Sequence, residues 1–93
     1  MHTRERKHIE ILRKRCDYSS PPSSWFPVPY AKYRYGAYET YENQEKAAEA
    51  AQRKIEKLKG EDLARLIKYH GGGAPVFEYK LINIVTTLTE TEV

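Results

Sequence analysis

Tyr30-Ala31-Lys32-Tyr33-Arg34-Tyr35-Gly36-Ala37-Tyr38-Glu39-Thr40-Tyr41 is the stretch on which the reading of this chain turns. Tyrosine favours strands, and strand alternation puts Tyr33 and Tyr35 on one face and Lys32 and Arg34 on the other. Gly36 interrupts the run and suggests a bulge or a close backbone approach. Past it the phase can shift and bring Tyr38 and Thr40 to the first face. The stretch leads directly into the strongest helical pattern in the chain, residues 43–58. Asn43 can cap that helix, and Glu45 lies in its first turn. Ala47, Ala51, Ile55 and Leu58 make a continuous stripe at helical spacing, and the alanines let the helix pack closely on a sheet. Charges of mixed sign cover its outer side, which reads as a solvated face. Gly60 is read as the end of this helix.

Toward the carboxyl end, Asp62 can cap a second, short helix whose inner face is Leu63, Leu66 and Ile67, stopped by Gly71. Residues 71–74 read as a Gly-rich loop. From Val76 to Leu88 the chain reads as a strand, with Phe77, Tyr79 and Leu81 on one face and Ile82, Ile84 and Leu88 on the other. A bulge near residues 81–83, or burial on both faces, would reconcile the two halves. Residues 89–93 are expected to fray. Toward the amino end, the Pro/Ser-rich residues 17–29 read as an extended strap. Its Trp25 and Phe26 would pack onto the core, with ligand stacking by Trp25 as the alternative. Residues 3–16 read as a first helix capped by Thr3, because Ile9, Leu12 and Cys16 fall at i, i+3 and i+7. Arg13, Lys14 and Arg15 would then sit in its last turn, offsetting the helix dipole or contacting phosphates. The expected fold is therefore α+β: one small domain over residues 1–93, in the order α-β-α-α-β. A two- or three-stranded sheet would pack against the helices, completed by the strap, a second copy or a partner.

Composition bounds the function. Of the 93 residues 40% are apolar, but eight of the eleven aromatics are tyrosine, so the strictly apolar core is thin. Self-association as a homodimer, through a strand edge or a helix, is one way such a chain gains stability. The net charge is +3, and it is concentrated: residues 1–16 carry six Lys/Arg against two Glu, while residues 71–93 carry one Lys against three Glu. Cys16 is the only cysteine, which excludes an intrachain disulfide and suits a reducing compartment. The amino end has no apolar leader and no run is long enough for a bilayer, so the expectation is a cytoplasmic protein with no membrane partner. His2, His8, His70 and Cys16 show no metal-ligand spacing, and no cofactor motif occurs. His70-Gly71-Gly72-Gly73 matches the string that lines oxyanion holes in lipases and esterases. However, no G-x-S-x-G elbow accompanies it and no P-loop ending follows. The expectation is a protein that is not an enzyme.

Arg34, Ala37, Tyr38 and Tyr41 match positions of the third-strand motif of the RNA-recognition motif family, and residues 42–47 and 57–60 resemble the start and exit of its second helix. The resemblance covers less than a third of the chain. Tyr35, Gly36 and Glu39 depart from the motif, and residues 1–29 hold no first strand with its own aromatic motif. Independently of that family, bases stack on tyrosine faces while Lys and Arg hold phosphates. The first reading is therefore a module binding RNA or single-stranded DNA, with Tyr33, Tyr35, Tyr38, Lys32 and Arg34 on the strand and Arg6, Arg13, Lys14 and Arg15 on the amino-terminal segment. The second is a small regulator or inhibitor that binds a protein, of the accessory type that viruses and phages carry. Thr91-Glu92-Val93 also fits the carboxyl-terminal pattern bound by PDZ domains.

Overall fold

The structure, a computed structural model, describes residues 2–16, 24–70 and 76–90. Its elements are β1 (His2–Arg15), β2 (Phe26–Tyr35), α1 (Gln44–Lys68) and β3 (Phe77–Glu90). The three strands form one antiparallel sheet in the order β2-β1-β3. The observed order is β-β-α-β, which overturns the expected α-β-α-α-β in two places.

The first correction is the amino-terminal segment, a strand instead of a helix. Ile9 and Ile11, two residues apart, are both buried, and that spacing belongs to a strand. Leu12, which completed the helical spacing, turns to the opposite face. The helix preference of Arg, Lys, Glu and Leu amounts to tenths of a kcal/mol per residue, and it yields to hydrogen-bonded ladders on both sides. β1 pairs with β3 without interruption from His2↔Glu90 to Arg15↔Phe77, and with β2 from Lys7↔Tyr35 to Arg13↔Phe26. The registers oppose Glu10 to Lys32 and Lys14 to Glu78, pairings of opposite charge that favour this alignment.

The second correction joins the two expected helices into one. α1 begins as expected: the Asn43 side-chain oxygen accepts the Lys46 backbone N–H at 3.0 Å. It then continues through Gly60 to Lys68. In an unbroken helix the sheet-facing position after Ile55 and Leu58 is Asp62, so Leu63 and Ile67 rotate away and are 58% and 67% exposed. Asp62 is buried mid-helix. It accepts a hydrogen bond from the Tyr79 hydroxyl and has Arg65 Nη2 at 3.3 Å.

α1 covers one face of the sheet and leaves the other open. The core lies between them: Ile9, Ile11, Val28, Ala31 and Tyr35 from the sheet meet Ala47, Ala51 and Ile55 from the helix. Tyr33, Leu58, Tyr79 and Leu81 close its margin. β3 has no bulge against β1. Asn83 falls on the helix-side face, where its side-chain oxygen accepts the Tyr35 hydroxyl at 2.6 Å. That bond satisfies the polar residue that had suggested a change of face. The strap's last residues, Phe26 to Pro29, open β2, and Phe26 is 60% exposed instead of packed. Thr89 and Glu90, expected to fray, continue β3. The expectations for residues 17–23, 71–74 and 91–93 lie outside the described residues. Among the described residues no helix is long and apolar enough to cross a membrane.

Two stability outcomes follow. A Cβ at Gly60 would meet no atom within 4 Å, so Gly60→Ala should stabilise by about 0.5–1 kcal/mol, read as a higher urea midpoint at unchanged slope. Burial, then the hydrogen bond to Asp62, raises the Tyr79 hydroxyl above the ordinary 10.0. A group raised in the folded state contributes stability that is complete below its unfolded pKa and lost as pH rises through the folded one. Tyr79→Phe should therefore cost about 1–2 kcal/mol at neutral pH and should reduce the loss of stability above about pH 10.

Candidate nucleic-acid interface

The open face of the sheet is where charge, aromatic surface and concavity coincide. Its membership follows from the alternation of β1. Lys7, Ile9, Ile11 and Arg13 point toward α1, so Arg6, His8, Glu10, Leu12 and Lys14 point away. The registers extend that division to the neighbouring strands. Lys32 and Arg34 of β2 join the open face, as do Lys80, Ile82, Ile84 and Thr86 of β3. Ile82, Ile84 and Leu12 are half-buried and form an apolar floor between the cations. Trp25, just before β2, lies over one end of this floor. The Lys80 and Lys14 ammonium groups stand 4.3 Å and 5.6 Å from its ring centroid, in cation–π range.

The structure divides the candidate residues chosen from sequence. Arg6, Lys14, Lys32 and Arg34 come together on the open face. Tyr33 and Tyr35 do not join them, because strand alternation sends them under α1. Tyr35 is buried, with its hydroxyl held by Asn83. The Tyr33 ring lies 6.0 Å from that of Tyr41, and burial followed by that neighbour raises the Tyr33 hydroxyl pKa. Arg13 also points to the helix side, where its guanidinium lies 4.8 Å from the Phe77 centroid. Arg15 is exposed and opposes Phe77 at the end of β1. Tyr38 is fully exposed in the turn after β2, at φ 67°. That turn begins at Gly36, whose φ of 123° suits glycine. It closes through Gly36 N–H donating to Tyr41 O at 2.9 Å and Tyr41 N–H donating to Arg34 O at 3.2 Å.

β2 contributes a feature no local signal announced. Glu10 pairs with Lys32, and two residues later Leu12 pairs with Pro27. Ile11 is thus opposed by the four residues from Val28 to Ala31, a bulge larger than the usual two residues against one. Val28 and Ala31 turn into the core, while Pro29 and Tyr30 are pushed out. Tyr30 is fully exposed at φ 61°, a left-handed conformation uncommon for a bulky residue. The bulge forms one wall of a cleft of about 520 Å³ on the open face, with Glu10 and Lys32 on the other side. A second concavity, of about 210 Å³, lies next to it among Arg6, His8, Lys32 and Arg34, with Glu39 at its border. His8, Glu10, Tyr30 and Lys80 were not selected from sequence, and Trp25 entered only as an alternative stacking residue. The spacing of Ile9 and Ile11 was the available signal for the first two, since reading β1 as a strand puts His8 and Glu10 beside Lys32 and Arg34.

No family model, no curated protein and no solved structure matches the chain. The likeness to a third RNA-recognition strand also meets a local obstacle. β2 ends at Tyr35, so Ala37, Tyr38 and Tyr41 lie in the turn and not on a strand.

The placement of the tyrosines is itself testable. Tyr35→Phe should cost about 1 kcal/mol through loss of the bond to Asn83, whereas Tyr38→Phe should stay within ~0.5 kcal/mol of the parent. Both are read by denaturant unfolding.

Proposed function

We propose that the chain binds nucleic acid through the open face of its sheet. The observation that carries this reading is the gathering of Arg6, Lys14, Lys32, Arg34 and Lys80 on one solvent-facing surface, drawn from all three strands. Against them stand Glu10, which is buried, Glu78, which opposes Lys14, and Glu39 at the margin. Among the described residues no carboxylate forms an ion pair with Arg6, Lys32 or Arg34, so their charge is available to phosphates. Trp25 and Tyr30 supply aromatic surface beside the cations, the combination that holds single strands through stacking and backbone contact. The stacking role moves from Tyr33 and Tyr35 to these two side chains and to Tyr38.

A second reading, a protein-binding regulator, is favoured by a different surface. Leu63, Ile67 and Val76 are exposed at the carboxyl end of α1 and the start of β3, beside a shallow concavity floored by Leu66 and Phe77. Such apolar exposure suits a protein partner.

Fluorescence-anisotropy titration of labelled oligonucleotides over a range of salt concentrations separates the two. For single strands, the logarithm of affinity should fall with the logarithm of salt by about 0.7 per phosphate engaged. The double variant Lys32→Gln/Arg34→Gln should reduce that slope by about 1–2, and Arg13→Gln, on the covered face, should leave it unchanged. Absence of binding at low salt, or an unaltered slope in the double variant, would move the function to the apolar end of α1.

A further inference from the structure

Two polar side chains on the open face, His8 and Glu10, are largely withdrawn from water. His8 Nε2 is buried and has no hydrogen-bond partner among the described residues. The nearest carboxylate, Glu10 Oε2, is 3.9 Å away, beyond hydrogen-bond distance. Glu10 is itself only 9% exposed, and His8 is its one ion-pair neighbour among the described residues. A buried polar atom without a partner, as His8 Nε2 is, is uncommon in folded proteins and calls for an explanation.

Their positions suggest one. His8 and Glu10 are two residues apart on the central strand, and each lies in the wall of a different concavity. His8 lies with Arg6, Lys32 and Arg34 in the smaller one. Glu10 lies with Pro27, Pro29 and Tyr30 in the larger one. Lys32 borders both. One hollow is cationic and carries an imidazole nitrogen able to hydrogen-bond an anion. The other is flanked by an exposed phenol ring and two prolines, and carries a carboxylate that, when ionised, only accepts.

We propose that the two hollows together hold one unpaired nucleotide, and that the base is guanine. The phosphate occupies the Arg6–Lys32–Arg34 side and hydrogen-bonds His8 Nε2. The base lies against Tyr30, with its Watson–Crick edge toward Glu10. Guanine offers N1–H and N2–H side by side on that edge, matching the two oxygens of a carboxylate. Thymine and uracil present one N–H between two carbonyl oxygens, which a carboxylate repels, and adenine and cytosine each pair a donor with an acceptor. In a duplex those guanine donors are engaged by cytosine, so the site takes the base unpaired. The cleft has the volume range of small-ligand sites. The left-handed backbone at Tyr30 acquires a purpose, because it presents the ring at the cleft's mouth.

This inference rests on the reading that the open face binds nucleic acid, and the experiment separates the two. Anisotropy titrations would use a thymidine tract, the same tract with one central guanine, the same tract with one central cytosine, and the guanine tract annealed to its complement. The wild-type chain should prefer the guanine tract over the plain tract by about tenfold or more, in the range of a good bidentate contact. It should also prefer the single strand over the duplex. Glu10→Gln should reduce the guanine preference to about twofold or less, and Tyr30→Ala should weaken all single strands by about tenfold through lost stacking. Thermal unfolding checks that each variant folds. If Glu10→Gln does not, titration of guanosine and thymidine monophosphates into wild-type protein, followed by NMR shifts of His8 and Tyr30, gives the same discrimination. Equal affinity for guanine and plain tracts, a guanine preference that survives Glu10→Gln, or binding of the duplex as tightly as the single strand would overturn the nucleotide site while leaving nucleic-acid binding in place. No binding of any oligonucleotide by the wild-type chain would overturn both.

Discussion

The pairing of β1 on both edges is the constraint on which the structure depends. A central strand has its backbone N–H and C=O groups satisfied by two neighbours, and here one neighbour comes from the following segment and the other from the far end of the chain. That arrangement sorts the side chains of residues 6–14 strictly by parity. Ile9 and Ile11 go under α1, and His8, Glu10 and Lys14 go to the open face. The apolar residues that anchor the core and the polar residues that build the candidate interface are therefore the same few positions read alternately.

The core this produces is thin, and its composition explains the close approach of α1. Alanines make up much of it: Ala31 from β2, and Ala47, Ala50 and Ala51 from the helix. Small side chains let the helix axis come near the sheet, but each buries little apolar area. Ile9, Ile11 and Ile55 supply the larger buried surface, and buried Tyr35 and half-buried Tyr79 supplement it while hydrogen-bonding their hydroxyls to Asn83 and Asp62. Tyrosine works here as a core residue that needs a polar partner at its tip. This accounts for a buried aspartate in the middle of α1 and an asparagine within the stripe of β3.

The bulge in β2 links the core to the interface. Regular pairing resumes on both sides of it, at Lys32 and at Pro27, so the extra residues must leave the plane of the sheet. Val28 and Ala31 add to the core, while Pro29 and Tyr30 rise over Glu10. A residue in the left-handed region costs on the order of 1–2 kcal/mol, and the paired flanks of β2 hold it there. A flat strand in this position would leave Glu10 beside Lys32 on an open surface with no cleft.

Sequence alone determined the features set by near neighbours. The helix from Asn43 and its cap, the stripe of Ala47, Ala51, Ile55 and Leu58, the strand character of residues 77–88 and of the first half of the 30–41 stretch, and the separation of Tyr33 and Tyr35 from Lys32 and Arg34 are written in local spacing, whereas the strand read over residues 36–41 is a turn. Tertiary structure decided the rest. Residues 3–16 carry two periodicities at once: Ile9 with Leu12 and Cys16 suits a helix, and Ile9 with Ile11 suits a strand. Only a ladder joining His2 to Glu90, nearly the length of the chain, selects the second. Gly60 could end a helix or be crossed by one, and the sheet partner of Asp62 makes it the latter. Which face of β2 is covered depends on where α1 lands. Alternation therefore separated the tyrosines from the cations, but only the packed helix decided that the tyrosines are core and the cations face solvent.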